Sequence, residues 1–181
     1  MAGELELRIK KNADGRTSLT CTRADGTTTW QRRDGGQAAF FPRHDLTHYA
    51  AETVLELESG FFSLVAQGWD LADFGTPWPR GPLPPLANIV EMIVGFFDQE
   101  RASGHLGTAA DLNDLLASYC EEHDLPAPQF TDADVARVRS ARGELFRRWD
   151  ALPDGESLAL EFAARALSRE EVAPPQIAGR K

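Results

Sequence analysis

Apolar and polar residues alternate from the start of the chain: Leu5, Leu7 and Ile9 are interleaved with Glu4, Glu6, Arg8 and Lys10. A period of two marks a strand with one dry face and one wet face. Asn12-Ala13-Asp14-Gly15 supplies a reversal, after which Thr17, Leu19 and Cys21 alternate with Ser18, Thr20 and Thr22. Arg23-Ala24-Asp25-Gly26 repeats the turn and leads into a β-branched run from Thr27 to Gln31, ending near Trp30. Residues 1–32 are thus expected to form a β-meander. A second period-two segment, Ser157 to Phe162, follows the turn Pro153-Asp154-Gly155. A lone strand would leave its backbone groups unpaired, so 157–162 is expected to return to the meander.

Between these strands the period lengthens to that of helices. Residues 33–39 read as a loop, and a helix is expected to begin near Pro42 with Leu46, Tyr49, Ala50, Thr53, Val54 and Leu57 on its apolar face. Ser59-Gly60 interrupts it, and a short helix is expected over Phe61 to Gln67. Five prolines between Thr76 and Pro85 forbid regular helix and favour a stiff, extended crossing. Leu86 to Arg101 is apolar except for a strip at Asn88, Glu91, Gly95 and Asp98, the pattern of a central core helix. Thr108 with Asp111, and Thr131 with Asp134, cap two further helices. Their stripes are Leu112, Leu115, Leu116, Tyr119 and Cys120, then Val135, Val138, Leu145 and Trp149. The expected fold is α+β: an antiparallel sheet of about four strands packed with a helical region, 43–150, on one side. Residues 1–172 are expected to form a single domain, with a last short helix from Ala163 to Glu171 and a flexible tail at 173–181.

Composition narrows the function classes. The 181 residues carry 19 Lys+Arg against 28 Asp+Glu, a net charge of -9. That balance argues against nucleic acid and anionic membranes as partners, since both demand a cationic footprint. No run approaches the ~18 apolar residues of a bilayer span, and the opening MAGELELRIKK lacks the apolar stretch of a secretory signal. Two cysteines cannot form a disulfide framework, so a cytoplasmic location is expected. Cys-x-x-Cys, Gly-x-Gly-x-x-Gly, P-loop and Gly-x-Ser-x-Gly patterns are all missing, which removes zinc ribbons and leaves nucleotide and α/β-hydrolase readings without support.

The stretch from Phe40 to Glu52, FFPRHDLTHYAAE, carries the candidate chemistry. His44 and His48 stand four apart, so on a helix their rings lie one turn above each other and can reach one divalent metal ion, zinc foremost. Glu52 extends the row as a candidate third ligand, with Glu91 on the polar strip as the alternative carboxylate. Measured from Leu46, the histidines fall at about 160° and about 200° on the helical wheel, opposite an apolar face centred near 10°. Two readings follow: a solvated histidine face, or a covered one whose rings need partners, as Leu55 at about 180° suggests. Asp45 has two readings as well, a first-turn carboxylate favoured by free N–H groups, or a catalytic general base. His105 reads as an exposed loop residue, Cys120 near His123 as a small hydrophobe, and Arg142, Arg147 and Arg148 as a solvated helix face.

The run FFPRHDLTHYAAETVL, with GFFSLVAQGWDLADFG after it, resembles a recurring bacterial protein family that implies no particular activity. The core His44-Asp45-x-x-His48 is also similar, over five residues, to the zinc motif of the coenzyme Q biosynthesis assembly protein family. There a Glu follows after eleven residues; here that position is Gly60, with Glu56 and Glu58 the nearest carboxylates. The resemblance implies zinc binding, not quinone chemistry. Two functions are therefore expected as alternatives: a metal-dependent hydrolase built on His44, His48 and Asp45 or Glu52, or an interaction protein. The second would dock another protein or a second copy through the aromatic and proline-rich segment 74–86, around Phe74, Trp78 and Pro82 to Pro85.

Overall fold

A computed structural model of the chain describes residues 3–164. The alternating segments become strands β1 (Glu4–Lys11), β2 (Thr17–Arg23), β3 (Thr28–Arg33) and β4 (Ser157–Ala163). They form one antiparallel sheet in the order β3-β2-β1-β4, so the late strand returns to pair with the first. Both meander turns use glycine in the left-handed region, at Gly15 (φ 79) and Gly26 (φ 83), where a Cβ would be strained. Register follows the hydrophobic pattern: Leu7 lies opposite Cys21 on one side and Leu160 on the other, and all three are buried. Glu4, Glu6 and Arg8 point to the open face, as does Trp30, 65% exposed.

Helices α1 (Gly35–Val54), α2 (Phe61–Ala66), α3 (Pro85–Ser103), α4 (Ala109–Glu122) and α5 (Asp132–Ala151) join the sheet's apolar face in one hydrophobic core. The anticipated caps form: Thr108 with Asp111, and Thr131 with Asp134, each make a reciprocal capping box. The long helices are held by buried charge as well. Glu100 on α3 is 4% exposed and accepts hydrogen bonds from Arg139 and Arg142 on α5 and from the Gly107 N–H ahead of α4. No helix among the described residues is long and apolar enough to cross a membrane.

Several expectations are corrected. α1 begins at Gly35 rather than Pro42, so the expected loop 33–39 is mostly helix and Pro42 sits inside it. Proline there removes one N–H donor, but packing along the whole helix outweighs that loss. Leu57 lies beyond the helix, and Thr53 is exposed instead of sharing the apolar face. Leu115 is 42% exposed while Leu112, Leu116 and Cys120 are buried. Arg142 is buried against Phe97 and Glu100, not solvated. Ala163 ends β4 rather than opening a helix. The remainder of that helix, the domain end at 172 and the tail 173–181 lie outside the described residues.

Candidate metal centre

α1 is covered on both sides. Leu46 and Ala50 face the core, yet Asp45, Thr47, His48 and Glu52 are also buried. The cover over the histidines is α3, whose polar strip turns toward them. Asp98 takes His44, with Nδ1 to Oδ2 at 2.7 Å, and Glu91 faces His48, with Oε2 to Nε2 at 3.5 Å. Of the two readings of the histidine face, the covered one holds.

Each ring is braced at Nδ1 by a carboxylate. An ionised carboxylate only accepts, so His44 donates to Asp98 and His48 donates to Glu52 Oε1 at 3.2 Å. This leaves Nε2 of both rings to act toward other groups, the arrangement in which a second carboxylate fixes the orientation of a metal-binding histidine. The rings meet edge to face with centroids 4.8 Å apart. His44, His48 and Glu91 present ligand atoms that all lie within 4.8 Å of one another. The His48–Glu91 separation of 3.5 Å is close to the edge of a tetrahedral zinc site, about 3.4 Å for bonds near 2.1 Å.

Glu52 does not join the group that His44 and His48 form with Glu91. Its Oε1 accepts from the Phe62 N–H at 3.3 Å and its Oε2 from the Ser63 N–H at 3.1 Å, so its charge serves the open first turn of α2. Position 60 must be glycine for this reason: a Cβ there would stand 2.2 Å from Glu52 Cδ. Glu91, the alternative carboxylate, is the one grouped with His44 and His48, and Glu52 instead takes a hydrogen bond from His48 Nδ1. Asp98 is the residue that sequence reasoning missed in this role, although its place on the polar strip marked it as unusual for a core helix.

The electrostatics follow from this crowding. Burial opposes charge on His48, but the Glu91 and Glu52 carboxylates outweigh it and push the imidazole up to about 10. Burial also works against ionised Glu91 and Asp98, and their histidines nevertheless hold both below the usual carboxylate range. Asp45 differs. It is 5% exposed and accepts no hydrogen bond among the described residues, and burial raises its carboxyl to about 6 against the pull of His44, His48 and Arg33. Its first-turn reading is overturned, since ten helical residues precede it in α1.

Asp45 therefore costs stability when ionised. Its folded pKa lies above the ordinary 3.8, so folding binds a proton; stability is full below pH 3.8 and falls as pH rises through about 6. Asp45→Asn is expected to stabilise the metal-free protein by about 2–3 kcal/mol at pH 7.5, with the gain vanishing near pH 4. Urea unfolding at both pH values checks this, and a variant less stable than wild type at pH 7.5 would mark Asp45 as structural.

His44, Asp45, His48 and Glu91 line a cavity of about 600 Å³ together with Phe61, Phe74 and Trp78. The segment expected to dock a partner thus borders the site. Other candidates do not join it. His123 stacks on Tyr119 at 4.0 Å, His105 is exposed, and Cys120 is buried in the core. Burial pushes the Cys21 thiol up to about 12, which leaves it inert. No protein-family model, curated protein or solved structure matches this chain.

Proposed function

We propose that this protein is a metal-dependent hydrolase in which His44, His48 and Glu91 hold a divalent cation, with zinc the best fit, and Asp45 is the general base. One observation carries the reading: two imidazoles and a carboxylate converge beside a cavity, each imidazole braced through its other nitrogen by its own carboxylate. Two nitrogen donors and one oxygen suit zinc, and three protein ligands would leave a fourth coordination position for water or substrate. When bound, the ion supplies Lewis acidity toward water and a substrate carbonyl or phosphoryl oxygen. Asp45 accepts no hydrogen bond among the described residues, and a carboxyl near 6 is ionised at neutral pH while still able to hold a proton. Glu52 and Asp98 keep the rings in place; Phe61, Phe74 and Trp78 supply an apolar surface for the body of a substrate.

Zinc-loaded protein should hydrolyse p-nitrophenyl carboxylic or phosphate esters, and Asp45→Asn should keep its zinc while losing about a hundredfold or more in rate. Equal rates in the two proteins would remove Asp45 as the base. A zinc-loaded wild type inert toward both ester classes would contradict the hydrolase reading. A docking role for segment 74–86 is favoured by one fact, the 43% exposure of Trp78; in that case Trp78→Ala loses a bound protein or self-association.

A further inference from the structure

Arg33, the last residue of β3, lines the same cavity. Arg23, Arg80, Arg139 and Arg142 each spend their guanidinium on a carboxylate. Arg33 forms no ion pair among the described residues, and its Nε is the one buried side-chain polar atom there without a hydrogen-bond partner. A buried donor left unmade is costly, so this guanidinium is not committed to the protein's own acceptors as the other four are.

The group is also seated on an aromatic ring. Its guanidinium carbon lies 4.0 Å from the centre of the Phe41 ring, and Phe41 meets His44 edge to face at 5.8 Å. This cation–π contact anchors the guanidinium without using its N–H groups, and the fork of donors suits carboxylate or phosphoryl oxygens. Charge agrees: a divalent ion and Arg33 together outweigh Asp45 and Glu91, the carboxylates of the lining, in a chain whose net charge is -9. We propose that the cavity receives an organic anion, its charged oxygens held by Arg33 and its apolar body by Phe61, Phe74 and Trp78. The inference rests on the metal-site reading for its place beside the reacting centre, and it names the substrate class for that centre.

Benzoate and phenylphosphonate serve as anionic probes and benzyl alcohol as the neutral one. Binding is followed by quenching of tryptophan fluorescence, since Trp78 lines the cavity. Each titration is made with and without zinc, and zinc uptake is measured separately. Wild type should bind at least one anion more tightly than the alcohol. Arg33→Gln should weaken that anion about tenfold or more, with zinc uptake and alcohol binding unchanged. Arg33→Lys keeps the charge without the fork and should fall between the two; it carries the comparison if Arg33→Gln does not fold. Failure of wild type to take up zinc contradicts the metal reading alone, because the zinc-free titrations still judge Arg33. Wild type that binds no anion better than the alcohol, or Arg33 variants that bind the anions as tightly as wild type, would overturn the anion role.

Discussion

Zinc affinity of the His44→Ala/His48→Ala double variant is expected to fall on the order of a thousandfold or more, since it removes both nitrogen donors from a three-ligand site. Competition with a chromogenic chelator measures the loss. Glu52→Gln should lose about 10–100-fold, because it loosens the ring that Glu52 braces without touching the ligand set. Gly60→Ala should behave like Glu52→Gln, as its methyl group would occupy the space of the Glu52 carboxylate. Uptake must also displace the proton that His48 carries, its carboxylate neighbours having raised it to about 10. A neutral imidazole is the ligand, so apparent affinity should climb with pH toward that value. Equal zinc affinity in wild type and the double variant would place any bound ion elsewhere.

Glu100→Ala is expected to destabilise the fold by about 3–5 kcal/mol, the usual loss when one partner of a buried ion pair is removed. Glu100 is 4% exposed and Arg142 9% exposed, so the truncation leaves a buried guanidinium without its counter-charge. Arg139 loses its carboxylate as well. The cluster ties α3 to α5 and to the chain entering α4, and α3 is the helix that carries Glu91 and Asp98. Urea unfolding gives the value directly. Glu100→Gln, which keeps an acceptor oxygen, should lose less; a loss below about 1 kcal/mol for the alanine variant would show that water reaches the cluster.

The architecture was readable where local rules decide it. Alternation in β1, β2 and β4, glycine at positions 15 and 26, and the caps at Thr108 and Thr131 each settle their element with nearest-neighbour physics. Pairs distant along the chain were not readable. Periodicity marked Glu91 and Asp98 as polar residues on a core helix, but only packing of α3 on α1 sets them against His48 and His44. Pro42 concealed the start of α1 because its preference for a first turn competes with the packing of a longer helix. Glu52 lay on the same helical row as the histidines, and geometry along α1 alone could not reveal that the open N–H groups of α2 would claim it. Arg33 lay at the edge of an expected loop; its value comes from what fails to reach it.

The most direct test is diffraction at the zinc edge from crystals of the zinc-treated protein. A single strong anomalous peak is expected within about 2.0–2.2 Å of His44 Nε2, His48 Nε2 and a Glu91 oxygen, with Glu52 and Asp98 still on the Nδ1 atoms. Fully treated crystals with no peak between α1 and α3, or a peak ligated by other residues, would contradict it.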